Sequence, residues 1–160
     1  MKVVVLSDSH ADSMDRLPRR IVDELSGADM VIHAGDYTGE NLLGELRRLR
    51  NFKGVHGNLD PPEIKRGLPA LETAVIGGFS VGINHPSEGG SPFLIEERIG
   101  ARFQHVDAIV FGHTHRAKKE YRDGVLYFNP GSATGTFPAS ARTFGILTVG
   151  KEITGEILKV

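Results

Sequence analysis

The chain has 160 residues, with Lys+Arg 19 against Asp+Glu 20, no Cys, and a formal net charge of −1. At about 100–200 residues per domain this is one domain, and folding buries about two-thirds of its surface, enough for a core without staples. The missing Cys excludes disulfides, thiolate zinc sites and Cys nucleophiles, and the balanced charge disfavours nucleic acid as a partner.

The first apolar run, residues 3–6, is too short for a signal-peptide core and lacks a small-residue cleavage site. No run approaches the ~18 apolar residues of a membrane span, so a soluble, cytoplasmic protein without membrane contact is expected. Further short runs follow at residues 30–32, 52–55, 79–83, 108–111 and 125–128, each closed by small and polar residues. Short length and β-branched content predict buried strands. Residues 143–149 and 153–160 predict an antiparallel pair around Gly150-Lys151.

Helical patterning lies between the early strands. Leu17, Ile21, Val22 and Leu25 form one apolar stripe, and Leu42, Leu43, Leu46 and Leu49 form another. Ser91-Pro92 reads as an N-cap with Pro in the first helical position, and Gly100 ends that helix. Gly is abundant, at 20 of 160 residues, which implies many tight turns and close backbone approaches. Strand–helix alternation followed by a strand-rich second half predicts an α/β fold with parallel and antiparallel pairing. Without repeats, linkers or low-complexity segments, residues 1–160 form a single domain.

Chemistry collects where the runs end. Asp8, His10, Asp36, Asn58, His85, His113 and His115 each follow an apolar run, and the carboxyl ends of strands are where open α/β sheets bind ligands. Asp8 and His10 are two apart, as are His113 and His115, so in extended backbone each pair faces one side. Carboxylate, imidazole and amide donors without thiolate suit Mn, Fe, Zn, Co or Ni. Seven donors are too many for one ion with open positions, but fit two ions sharing a carboxylate.

Asp8-Ser9-His10, Gly35-Asp36, Gly57-Asn58-Leu59-Asp60, His85 and Gly112-His113-Thr114-His115 stand in an order that resembles the calcineurin-like metallophosphoesterase superfamily. The short length and Asn129-Pro130-Gly131-Ser132 resemble its small, uncapped phosphodiesterase branch, to which the retromer scaffold subunit is also related. The resemblance runs from about Lys2 to Val149. It implies a four-layer α/β/β/α sandwich of two mixed sheets. It also implies two divalent metal ions per chain, Mn foremost, with Ni, Co, Fe or Zn as alternatives. Asp8, His10, Asp36 and His115 would hold the first, and Asp36 would bridge to a second held by Asn58, His85 and His113. A water shared by the ions would be the in-line nucleophile. The implied activity is phosphoric ester hydrolysis on a small phosphodiester or phosphomonoester, diesters preferred.

Two departures stand out. Leu59 occupies the place where most of the superfamily has a His that protonates the leaving oxygen or holds the phosphate. Pro86 follows His85 where Gly is usual, and restricts His85 towards extended backbone. The rival functions are a non-catalytic interaction scaffold and a nuclease, the latter disfavoured by the absence of a basic excess. The oligomeric state is open, a homo-oligomer included.

Outside the seven donors, His33 and His56 read as packing residues or partners of a ligand, and His105 as solvated in a helix-like region. Asn129 and Ser132 orient a ligand His or form a plain Pro-Gly turn. Arg142 reaches a phosphate oxygen or makes a surface pair. Arg47-Arg48-Leu49-Arg50 and Lys118-Lys119 read as solvated faces.

Overall fold

The computed structural model describes residues 1–86, 88 and 94–160. Strand β1 (Lys2–Leu6) alternates as a strand between two apolar layers must. Val3 and Val5 join one apolar cluster, and Val4 and Leu6 join another. The same alternation holds in β2 (Met30–Ala34) and β6 (Ala108–Phe111). Such strands are apolar on both faces because both faces are covered.

Among the described residues the strands form two five-stranded sheets. In the first, β3 (Phe52–Val55), β2 and β1 run parallel, and β9 (Thr143–Val149) and β10 (Ile153–Lys159) continue antiparallel. In the second, β5 (Phe79–Asn84), β6 and β8 (Val125–Asn129) run parallel. Its edges are β4 (Leu71–Ile76) and β7 (Lys118–Arg122), each antiparallel to its neighbour.

One apolar cluster fills the space between the sheets, with Val3, Val5, Ile32, Val81, Ile83, Val110 and Phe128 at its centre. On the outer face of the first sheet lie α1 (Arg19–Ser26), α2 (Glu40–Arg47) and α3 (Pro62–Gly67). They bury Ile21, Leu25, Leu42, Leu43, Leu46 and Ile64 against Val4, Leu6, Val31 and Phe144. On the outer face of the second sheet, α4 (Ile95–Gly100) buries Ile95 and Ile99 against Ile109, Phe111 and Tyr127. The order is helices, sheet, sheet, helix, the expected α/β/β/α sandwich.

Departures from the sequence expectations have local causes. The stripe beginning at Leu17 enters its helix only at Arg19, because Leu17 precedes Pro18 and is extended, with ψ 146°. Leu49 lies beyond α2, in a tight turn closed by its N–H on Leu46 O at 3.0 Å. Helix α3 and strands β4 and β7 were not expected from the sequence. His105 is exposed but sits in a turn with φ 55°, not in a helix. Ser91-Pro92 lies outside the described residues, and α4 ends at Gly100 as expected. Lys118 and Lys119 belong to edge strand β7, where Lys118 pairs with Glu96 and Glu120. A charged edge of this kind blocks pairing with another chain.

Phe128 is the wedge of the intersheet core. It is fully buried, and a Cβ at Gly155 would fall 2.6 Å from its ring, one at Gly145 closer still. Phe128→Ala is expected to cost about 3–5 kcal/mol of unfolding free energy. Gly145→Ala destabilises by collision with the ring, so the penalty should disappear when Phe128 is already Ala. A urea double-mutant cycle reads this coupling. Strict additivity of the two changes would contradict the wedge.

Candidate metal centre

Six parallel strands, three in each sheet, end at one rim, and their loops carry all seven expected donors. Asp8 and His10 follow β1, Asp36 follows β2 and Asn58 follows β3. His85 follows β5, while His113 and His115 follow β6. The loop after β8 closes the rim from the other side: Ser132 Oγ donates to Asp8 O at 2.7 Å.

One set consists of Asp8, His10, Asp36 and His115, whose donor atoms all lie within 4.8 Å of one another. His115 Nε2 is 3.2 Å from Asp8 Oδ1 and 3.2 Å from His10 Nε2. The second set centres on Asn58 Oδ1, which is 3.2 Å from both His85 Nε2 and His113 Nδ1. Asp36 joins the two, its Oδ2 lying 3.9 Å from His10 Nε2 and 3.4 Å from His85 Nε2. Its other oxygen, Oδ1, is occupied by the Leu59 N–H at 2.9 Å.

Two carbonyls fix the ring tautomers. His85 Nδ1–H donates to Ala34 O at 2.7 Å, and His115 Nδ1–H donates to Thr136 O at 2.8 Å. Each ring then turns an Nε2 lone pair towards oxygen acceptors, Asp36 and Asn58 for His85 and Asp8 for His115. Acceptors facing acceptors require a positive charge between them, a proton or a cation. The charge balance says the same. The Asp8 hydrogen bond raises the His115 pKa although burial opposes it. Burial alone would lower His85, but the Asp36 hydrogen bond and the nearby carboxylates reverse that and raise it. Burial works against the Asp36 anion, yet its His85 contacts and the Leu59 N–H lower its pKa. Burial dominates at His10 and His113, and both are lowered. The donor set thus fits a divalent cation of the imidazole- and carboxylate-binding class.

The donor pairs do not converge through extended backbone. Asp8, His10, Asp36, His113 and His115 have φ of 48°, 42°, 59°, 77° and 55°, the left-handed region. Tight turns aim the side chains, and His113 and His115 are sent to different sets. Gly35, with φ 94°, is required because a Cβ there would sit 2.5 Å from His85 Nδ1. His85 accommodates Pro86 and is 3% exposed.

Several holding groups escaped the sequence reading. Asp60, buried, accepts the N–H groups of Asp36 (3.1 Å), Tyr37 (2.7 Å), Thr38 (2.9 Å) and Gly57 (2.7 Å). The Ala34 and Thr136 carbonyls are backbone groups, invisible to residue type. His33 is a packing residue as expected: its Nδ1 accepts Gly35 N–H at 3.2 Å and its Nε2–H donates to Ser9 Oγ at 2.8 Å. Its ring stacks on Tyr37 at 3.8 Å. Asn129 and Ser132 hold the loops rather than a ligand ring, Asn129 through Gly112 O and the Thr114 hydroxyl, Ser132 through Asp8 O. His56 touches Gly57 O, outside both sets. Arg142 is exposed beside Gly135.

The profile of the calcineurin-like phosphoesterase superfamily domain matches residues 1–152. The chain belongs to that superfamily. It is 32% identical over 139 residues to a probable metallophosphoesterase of Methanocaldococcus jannaschii, covering 84% of this chain and 69% of the relative. It is 29% identical over 150 residues to vacuolar protein sorting-associated protein 29 of Schizosaccharomyces pombe, covering 88% and 76%. A solved archaeal phosphodiesterase superposes with TM-score 0.77 at 25% identity, over 99% of this chain and 100% of that one.

Two outcomes test the holding groups. Asp60→Ala strands several buried N–H groups, each costing about 1–3 kcal/mol when unsatisfied. Urea unfolding should show a loss well above that of an average surface change, and Asp60→Asn should restore only part of it. At His33, burial lowers the pKa from 6.5 to about 3. Between those values the unfolded chain binds a proton that the folded chain refuses. Stability should therefore fall as pH drops through that window, by up to about 1.4 kcal/mol per unit. Metal-free unfolding at pH 7, 6 and 5 should show a shallower slope in His33→Gln than in the unmutated chain. Equal slopes would contradict a neutral buried ring.

Proposed function

We propose that this chain is a dinuclear divalent-metal phosphodiesterase, with Asp8, His10, Asp36 and His115 holding one ion and Asp36, Asn58, His85 and His113 the other. The observation that carries this is the pair of carbonyl-tied imidazoles whose Nε2 lone pairs face oxygen acceptors. Asp36 supports the sharing of one carboxylate, since Oδ1 is occupied by Leu59 N–H while Oδ2 faces both sets. Mn is the first choice of metal, with Ni, Co, Fe and Zn suited to the same donors. When bound, two such ions supply charge neutralisation at phosphoryl oxygens and acidify the attacking water.

The protein's own groups do the remaining work. Ala34 O and Thr136 O hold His85 and His115 in the ligating tautomer. Ser7 Oγ–H and the His113 N–H, at 2.6 and 3.0 Å, orient the Asp8 carboxylate. Asn58 is exposed and the most open of the seven donors, where a phosphoryl oxygen can approach. Leu59 offers no proton to a departing alkoxide, so turnover depends on a leaving group that departs readily or on water as the acid. Preference for diesters over monoesters rests on the similarity to the archaeal phosphodiesterase. A scaffold without turnover is the second reading, favoured by the similarity to the vacuolar protein sorting relative. Retention of all seven donors at one rim favours the enzyme.

Metal-depleted protein reloaded with Mn should hold two equivalents by elemental analysis and hydrolyse bis(p-nitrophenyl) phosphate. Asp36→Ala should lose both equivalents. Asn58→Ala should keep about one and lose about 10²–10³-fold in turnover, the usual scale for one contact to the reacting phosphate. A single equivalent in the unmutated chain overturns the dinuclear centre. Turnover no higher than that of Asp36→Ala, with any of the five metals, hands the function to the scaffold reading.

A further inference from the structure

Two large apolar side chains stand in water on residues whose backbone adjoins the candidate centre. Leu59 is 60% exposed and Phe137 is 90% exposed. Both are tied to the donors through backbone. Leu59 follows Asn58 and gives its N–H to Asp36 Oδ1 at 2.9 Å. Phe137 follows Thr136, whose carbonyl accepts His115 Nδ1–H at 2.8 Å and Ala139 N–H at 3.0 Å. The second of these bonds closes the turn 136–139, with Phe137 at its first central position. The backbone of Leu59 thus adjoins the Asn58, His85 and His113 set, and that of Phe137 follows the carbonyl that holds His115.

We infer that Leu59 and Phe137 form an apolar contact surface for the alcohol portion of the substrate, so that the site takes phosphate esters bearing an aromatic or other apolar substituent. This rests on the phosphoesterase reading above. The charged centre grips a phosphoryl group whatever alcohol it carries, so discrimination falls to whatever borders the centre. An anionic or heavily hydroxylated substituent gives up water to lie against Leu or Phe and gains less there than an aryl group does. An aryl group buries its own face together with side-chain area that is otherwise wet. Anchoring matters as well. The turn that carries Phe137 shares the Thr136 carbonyl with His115, so the ring's backbone is already fixed relative to the donors and little further ordering is required.

The test uses binding, so it does not depend on turnover. Mn-loaded protein is titrated calorimetrically with phenylphosphonate and with methylphosphonate, which present the same anion on an aryl or a minimal substituent. The expected result is an affinity ratio of about tenfold in favour of the phenyl compound. Phe137→Ala and Leu59→Ala should each reduce that ratio by about 2–10-fold, the scale of one aromatic or apolar contact. Phe137→Tyr, which keeps the ring, should keep the ratio. Folding is not at stake for a side chain as exposed as Phe137. Binding of both anions with a ratio near one, or a ratio that neither Ala change lowers, overturns the inference and leaves the phosphoesterase reading standing. That includes the case in which these side chains seat an apolar segment of a partner protein. Binding of neither anion overturns the inference, and the turnover of bis(p-nitrophenyl) phosphate then decides the phosphoesterase reading separately.

Discussion

Four backbone N–H groups, from Asp36, Tyr37, Thr38 and Gly57, converge on the buried Asp60 carboxylate, and the rest of the candidate centre hangs from that convergence. The loop after β2 and the loop after β3 belong to neighbouring parallel strands, and nothing in the sheet ladder dictates how their tips meet. Asp60 dictates it. With the tips joined, Leu59 N–H reaches Asp36 Oδ1 and the other oxygen is left to face His10 and His85. A carboxylate accepting several N–H groups is also a strong interaction, since charge-assisted bonds exceed neutral ones by roughly a factor of two.

That strength is needed because the donor loops are held in costly backbone. Left-handed φ at a residue with a Cβ costs about 1–2 kcal/mol, and Asp8, His10, Asp36, His113 and His115 all adopt it. Side-chain bonds to the loops oppose the strain. Ser132 Oγ–H ties Asp8 O, Asn129 Nδ2 ties Gly112 O, and His33 spans Gly35 and Ser9. The strain serves geometry: tight turns let residues two apart, such as His113 and His115, serve different partners. Extended backbone would have sent both to the same side.

The donors were legible in the sequence because the chemistry must be done by side chains; Asp or Asn at one strand end is an ordinary turn residue, but the ordered set across successive strand ends is not. Buried strands were legible for a similar reason: β1 is apolar after Lys2, β6 is apolar throughout, and β8 has no charged residue and reaches its one amide at Asn129. The edges were harder. Strand β4 mixes Glu72 and Thr73 into its pattern, and β7 reads Lys-Lys-Glu-Tyr-Arg, since an edge strand with one wet face is under no pressure to be apolar. Asp60 stands in the Gly57-Asn58-Leu59-Asp60 segment with no role legible from its type, because its four partners are main-chain groups. The Ala34 and Thr136 carbonyls could not be read at all. Every residue supplies a carbonyl, so only the folded geometry reveals which carbonyls orient a ring.

The rim straddles the seam between the sheets. Asp8, His10, Asp36 and Asn58 belong to the first sheet, whereas His85, His113 and His115 belong to the second. An ion gripped by both groups would be a cross-link at one end of the sandwich, where the packing is polar instead of apolar. Elsewhere the sheets adhere through Phe128 and its neighbours, a contact that weakens on cooling and in denaturant. Coordination bonds do not weaken in the same way, and a ligand that binds only the folded chain adds stability in proportion to RT ln(1 + [L]/Kd). A bound ion would therefore shift opening of the two halves away from the rim, towards the far end of the sandwich.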